Sequence, residues 1–190
     1  MSCPKIAIIG RPNVGKSSLF NRLLKKRVSI VNEEEGVTRD RLYGECDFQN
    51  QNWIFIDTAG WICPKSSIEK EMIAQTQEAL QEADCCLLVI DAKVGITDLD
   101  EVVARLIRKA NKPVVVALNK VDDNPDEFTL YPYLSMGFEK IVPISSIHGL
   151  GIYELLESID EQLQSHFSPE EETSKGPKVT LVGRTNVGKS

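Results

Sequence analysis

The sequence predicts a three-layer α/β fold: a six-stranded, mostly parallel sheet with one antiparallel strand, covered by helices on both faces. Three observations carry this. Short apolar runs alternate with amphipathic stretches through residues 1–166. Two consecutive runs flank a short polar turn, which marks one antiparallel hairpin. The other runs are separated by helix-length segments, as right-handed crossovers between parallel strands require.

The elements follow in order. Strand Lys5–Ile9 leads into helix Lys16–Leu24. Strands Leu42–Phe48 and Trp53–Asp57 flank Gln49-Asn50-Gln51-Asn52, the hairpin turn. Helix Ile68–Glu82 precedes strand Cys85–Asp91. Helix Leu99–Ala110, strand Pro113–Leu118 and a short helix near Asp126–Leu134 come next. Strand Ile141–Pro143 and helix Ile152–His166 complete the set. Ligands on such sheets bind at the carboxyl ends of the strands, and every motif below falls at one of those ends.

Composition narrows the class. The chain has 190 residues, 42% apolar and 26% charged, a globular balance that argues against a disordered, collagenous or disulfide-dense protein. Its longest wholly apolar run, Cys85–Ile90, falls far short of the roughly 18 residues a membrane span needs. Residues Met1–Ile9 lack the pattern of a secretory signal. Five cysteines, with no CxxC pair, read as reduced thiols. The expectation is a cytoplasmic protein with no membrane partner, monomeric as this piece of chain. The formal charge of −6 hides an asymmetry: residues 1–41 are net +5 and residues 42–190 net −11. An acidic total therefore says little against a polyanionic ligand at the positive end.

An internal repeat sets the organisation. Gly10-Arg-Pro-Asn-Val-Gly-Lys-Ser17 returns as Gly183-Arg-Thr-Asn-Val-Gly-Lys-Ser190, offset by 173 residues, each copy after a strand-like run. That offset is domain duplication rather than a short-period array. We expect a complete domain over residues 1–166 and a Pro/Ser/Glu-rich linker over 167–177. Residues 178–190 would be the opening strand and loop of a second domain, so that the chain is part of a longer protein.

Four motifs carry chemistry. GRPNVGKS matches the phosphate-loop pattern GxxxxGK[ST] between a strand and a helix. Gly10 and Gly15 let the backbone wrap a polyphosphate. Lys16 is placed to reach the β- and γ-phosphates, and Ser17 to offer its hydroxyl to Mg²⁺. Arg11, Pro12, Asn13, Val14 and Ser18 complete the candidate loop. Asp57-Thr58-Ala59-Gly60 ends the third strand, with Asp57 suited to hold Mg²⁺ and the Gly60 N–H suited to meet the γ-phosphate. Asn119-Lys120-Val121-Asp122 follows the fifth strand. The Asp122 carboxylate can accept from both guanine N1–H and the N2 amino group, a donor pair adenine lacks. Such sites discriminate by roughly 10⁴–10⁵. Asn119 would brace the phosphate loop and Lys120 cover the ring. Ser145, Ser146 and Ile147 follow the sixth strand as the last base-binding loop, with His148 beside them read as a turn residue. Thr38, in a charged segment between the first helix and second strand, is the further Mg²⁺ ligand. Lys16, Thr38 and Gly60, grouped around the γ-phosphate, are the candidate catalytic residues.

These elements, in this order, resemble the translation-factor-like branch of the P-loop GTPases, whose fold is Ras-like. The tandem phosphate loops, together with Val37-Thr-Arg-Asp-Arg41, are similar to the Der (EngA) family of bacterial GTPases with two consecutive G domains. The resemblance covers the whole chain. It implies Mg²⁺-dependent hydrolysis of GTP to GDP and phosphate, linked to assembly of the large ribosomal subunit and its rRNA. Neither MnmE nor single-domain Era predicts a second phosphate loop 173 residues on. Two positions depart. Trp61 stands where Ras-type GTPases have the Gln that orients water, although Der-like GTPases share a hydrophobic residue there. Glu35 stands where Der more often has Pro. Without an arginine finger, turnover is expected to be slow, on the order of 10⁻⁴ s⁻¹ in the Ras case. Asn13 resembles the Asn of K⁺-stimulated GTPases, either a cation ligand or a loop-stabilising residue. Trp61 also keeps open a module that binds guanine nucleotide and docks RNA or protein with negligible hydrolysis. Lys25-Lys26-Arg27 either contacts rRNA or decorates a helix C-terminus.

Overall fold

The computed structural model describes residues 3–24, 42–58, 68–122 and 127–167. The elements are β1 (Lys5–Ile9), α1 (Lys16–Leu24), β2 (Leu42–Phe48), β3 (Gln51–Asp57), α2 (Ile68–Glu82) and β4 (Cys85–Asp91). They continue with α3 (Asp98–Ala110), β5 (Val114–Asn119), α4 (Glu127–Leu134), β6 (Ile141–Pro143) and α5 (Ile152–Phe167). The strands form one sheet in the order β2-β3-β1-β4-β5-β6. Only the β2–β3 pair is antiparallel; β1 pairs parallel with β3 and β4, and β5 with β4 and β6. This is the sheet the sequence predicts.

Alternation along β4 shows why three layers form. Cys85, Leu87 and Val89 face a core shared with α1 and α5 (Leu19, Leu23, Leu155, Ile159). Cys86, Leu88 and Ile90 face the opposite core, shared with α2 and α3 (Ala79, Leu80, Val103, Ile107). A strand buried on both faces reads as an unbroken apolar run, and β4 does. Burial raises the pKa of both β4 thiols, Cys86 to about 12, so they remain protonated core residues. Among the described residues, Cys3, Cys46, Cys85 and Cys86 form no disulfide. No described helix is long and apolar enough to cross a membrane.

Several boundaries differ from the sequence reading, among them α5, which ends at Phe167 rather than His166. The hairpin turn is two residues long rather than four. Gln49 and Asn50 both take left-handed backbone (φ 49° and 65°), and Phe48 already pairs with Gln51. That conformation matches the natural twist of a hairpin, so polar Gln51 and Asn52 join β3. Helix α3 starts at Asp98 because Thr97 caps it: the Thr97 side chain accepts from Asp100 N–H while the Asp100 carboxylate accepts from Thr97 N–H. Strand β5 runs one residue further, so Asn119 pairs with Asp91 on β4. The linker from residue 168 onward and the second phosphate loop lie outside the described residues.

Candidate nucleotide-binding site

The loop after β1 is shaped by three residues with positive φ: Gly10 at 154°, Asn13 at 66° and Gly15 at 98°. A Cβ on Gly10 would stand 2.5 Å from the Val89 carbonyl oxygen, and one on Gly15 would stand 2.3 Å from Asn119 Nδ2. Both glycines are therefore dictated by neighbours as well as by torsion. Val14 points inward to the core and pins the loop from below. Lys16 opens α1 and folds back, its Nζ donating to the carbonyls of Gly10 (2.7 Å) and Arg11 (2.9 Å). Burial is the main cause that lowers its pKa to about 8; the nearby Asp57 charge opposes this and Arg11 adds to it. The bond from Leu19 N–H to the Gly15 carbonyl (2.9 Å) sits at the head of α1. Earlier N–H groups of the helix have no intrahelical partner, so an anion finds donors and an ammonium at one spot.

Asp57 ends β3, buried, in register with Ile8 of β1. The Thr58 hydroxyl next to it donates to the Ile8 carbonyl at 2.8 Å and ties the segment to the strand that launches the phosphate loop. Ser17 and Ser18 are exposed at the start of α1, and Pro12 and Asn13 are exposed on the loop. The Arg11 side chain turns away to α3, where its Nε meets Asp100 Oδ2 at 3.2 Å. Thr38, Ala59, Gly60 and Trp61 lie outside the described residues, as do Glu35 and Lys25-Lys26-Arg27. Among the described residues no cluster of three or more His, Cys, Asp or Glu side chains forms a protein-only metal cage. Ser17 and Asp57 fit the other mode of Mg²⁺ binding, in which one or two hard oxygen ligands act together with nucleotide phosphates.

The second half of the site lies across β4 and β5. Asn119 Nδ2 donates to the Val14 carbonyl (2.8 Å), and Asn119 Oδ1 accepts from Ser146 N–H (3.0 Å). Lys120, at φ 69°, sends its Nζ to the Asn13 carbonyl (2.9 Å) and to Asp91 Oδ2 (2.6 Å). Asp122 Oδ1 accepts from the Ser145 hydroxyl (3.1 Å) and Oδ2 from Lys93 Nζ (2.6 Å). The Lys93 bond, then the Ser145 bond, hold this carboxyl below its usual pKa. Ser145 and Ser146 are buried and Ile147 is exposed. The loop is closed by Gly149 N–H on the Ser145 carbonyl (2.6 Å) and clasped by Arg22 of α1, which donates to the carbonyls of Ser146 (2.9 Å) and Ile147. His148 stays at the rim, its Nε2 3.8 Å from Asp122 Oδ1.

Sequence reading missed Asp91, Lys93, Arg22 and Asp100. A signal for Asp91 existed. It ends an apolar strand, as Asp57 does, on the edge where ligands bind. Arg22 and Asp100 sit in amphipathic helices, where a charge reads as solvated.

Lys16 and Asp122 thus stand at two ends of one hydrogen-bonded frame along the carboxyl edge of the sheet, the architecture of a P-loop GTPase. The family model described as 50S ribosome-binding GTPase matches residues 5–120, and the chain belongs to that family. It is 44% identical over all 190 residues to GTPase Der of Streptococcus pneumoniae strain Hungary19A-6 and equally to that of strain CGSP14. It spans 43% of the length of those relatives. Among solved structures it is similar to an Aquifex aeolicus Era variant bound to GDP·AlF₄⁻. Identity there is 37%, with a TM-score of 0.68, over 85% of this chain and 57% of that one. The G domain of the T. maritima FeoB iron transporter matches at 29% identity and TM-score 0.64, over 86% of this chain and all of that one.

Proposed function

We propose that this chain binds Mg²⁺·GTP and hydrolyses it to GDP and phosphate, as a switch in assembly of the large ribosomal subunit. The observation that carries the reading is the direct bonding of the base-selecting loop to the phosphate loop. Asn119 holds the Val14 carbonyl and Lys120 the Asn13 carbonyl across more than 100 residues of sequence. That bonding fixes the spacing between a phosphate-binding ammonium and a guanine-reading carboxylate.

Each residue has a defined task in this reading. Gly10–Ser18 wrap the phosphates. Lys16 places positive charge at the β- and γ-phosphates, where charge develops during transfer. Asp122 accepts from guanine N1–H and N2–H, Lys120 covers the base and Ser145–Ile147 close its far side. Ser17, Asp57 and Thr38 supply oxygen ligands for Mg²⁺, which neutralises phosphate charge when bound. The Gly60 N–H meets the γ-phosphate. Trp61 supplies no water-orienting group, so hydrolysis is slow. The Asn13 amide oxygen would be the ligand for a K⁺ ion, which would supply positive charge beside the phosphates.

An Era structure holds MgGDPNP and a segment of 16S ribosomal RNA, which supports Mg²⁺ and an RNA-linked role. The family description supports the large subunit. We assign residues 1–166 to a first G domain, 167–177 to a linker and 178–190 to the start of a second.

The test is phosphate release from GTP by the purified chain. Release is expected with Mg²⁺ and not with EDTA, faster in KCl than in equimolar NaCl, with GDP binding far tighter than ADP. Equal GDP and ADP affinity would overturn the guanine reading, and equal rates in the two salts the K⁺ site.

A further inference from the structure

The loop after β4 does two things that no base-binding motif assigns to it. Asp91, buried at the strand end, accepts from Lys93 N–H through Oδ1 (2.9 Å) and from Lys120 Nζ through Oδ2 (2.6 Å). It therefore fixes both the lysine that covers the base and the turn that presents Lys93. Lys93 Nζ then reaches Asp122 Oδ2 at 2.6 Å, while Ser145 takes Oδ1 at 3.1 Å.

The pattern on Asp122 is symmetrical. A carboxylate has about four acceptor positions, two on each oxygen. One hydrogen-bond partner on each oxygen, with His148 Nε2 farther off at 3.8 Å from Oδ1, leaves one position on each, and guanine offers two donors, N1–H and N2–H. A carboxylate held at one oxygen can still rotate about its terminal bond; held at both, it presents a fixed fork.

We propose that Lys93 is a positioning residue for guanine recognition, bracing Asp122 Oδ2 opposite Ser145 from a turn built on Asp91. This rests on the guanine-nucleotide reading above. Lys93 acts through Asp122, so its contribution should exist only while Asp122 is present. A lysine that merely attracted phosphates would contribute regardless of residue 122. One that blocked the carboxylate would oppose binding.

The experiment is a double-mutant cycle on GDP affinity in the full 190-residue chain, with Lys93→Met, Asp122→Ala and the pair. The Lys93 and Asp122 side chains are 63% and 39% exposed. The effect is therefore that of a largely solvated ion pair, and Lys93→Met should weaken GDP binding about two- to fivefold. In the Asp122→Ala background the same change should have no effect, and Lys93→Arg should restore wild-type affinity. Unchanged or tighter binding by Lys93→Met, or an equal loss in both backgrounds, would overturn the proposal. Thermal unfolding of each variant shows whether the fold is intact. Failure of the wild-type chain to prefer GDP over ADP would instead sink the guanine reading itself.

Discussion

At the scale of single residues, Lys16 links burial to pH. Burial lowers the pKa of its ammonium from 10.5 to about 8. In the unfolded chain it regains the ordinary value. Between about pH 8 and 10.5 the unfolded state therefore binds more protons than the folded one, and stability gains from Lys16 as pH rises through that window. The buried thiols Cys85 and Cys86 have the opposite sign, since their pKa values are raised and they lose stability above pH 9. The clean measurement is thus a difference. Denaturant unfolding at pH 7.5 and 9.5 should show wild type gaining on Lys16→Met as pH rises. Bound polyphosphate favours the charged amine, so GDP affinity should fall above pH 8 in wild type. A pH-independent gap between the two proteins would contradict this. The position of Lys16 at the head of α1, folded back on its loop, was legible in sequence because GxxxxGK[ST] is a spacing tied to a strand–loop–helix turn. The Lys93–Asp122 contact was not, since a lysine two residues past a strand looks like solvated loop until Asp122 is placed beside it.

At the scale of elements, α3 is tied to the phosphate loop by its own cap. Asp100 is fully buried. Its Oδ2 accepts from Thr97 N–H (3.0 Å), Thr97 Oγ1 (2.7 Å) and Arg11 Nε (3.2 Å). The two ends of this cluster should differ in cost. Thr97→Ala removes a cap and should destabilise by about 1 kcal/mol. Asp100→Ala also strands the Arg11 guanidinium, whose Nη2 already has no hydrogen-bond partner among the described residues. Breaking a largely buried pair on one side costs about 3–5 kcal/mol, whereas replacing both partners with apolar residues is often near neutral. Urea unfolding should therefore rank Asp100→Ala well below Thr97→Ala, with Arg11→Met/Asp100→Leu recovering much of the loss. If the double variant is no better than Asp100→Ala, the pair is not the source of the cost. Most element boundaries could be read from apolar periodicity. The exceptions share a cause: Gln51 and Asn52 entered β3, and α3 began one residue earlier, directly after the Thr97 cap, through backbone torsion and capping, which apolar patterns do not encode.

At the scale of the whole molecule, the site is where the two ends of the described chain are fastened together. Arg22 of α1 holds the loop after β6, and Asn119 of β5 holds both the phosphate loop and Ser146. A ligand spanning Lys16 and Asp122 bridges the same parts. It should stabilise the G domain as a unit rather than locally. At 100 times its Kd, GDP is expected to add about 2.7 kcal/mol to unfolding free energy, and ADP at the same concentration very little. Asn119 is the shared strut: nearly fully buried, with its amide against Gly15 and its oxygen on Ser146. Asn119→Ala leaves the Val14 carbonyl and Ser146 N–H without this partner, so it should lower intrinsic stability by about 1–3 kcal/mol for each buried group left unsatisfied. It should also abolish most of the GDP-induced gain, because the two halves no longer hold their spacing. Calorimetry with and without GDP separates these effects. A variant that is less stable yet still gains the full increment from GDP would show that Asn119 supports the fold without coupling the two halves of the site.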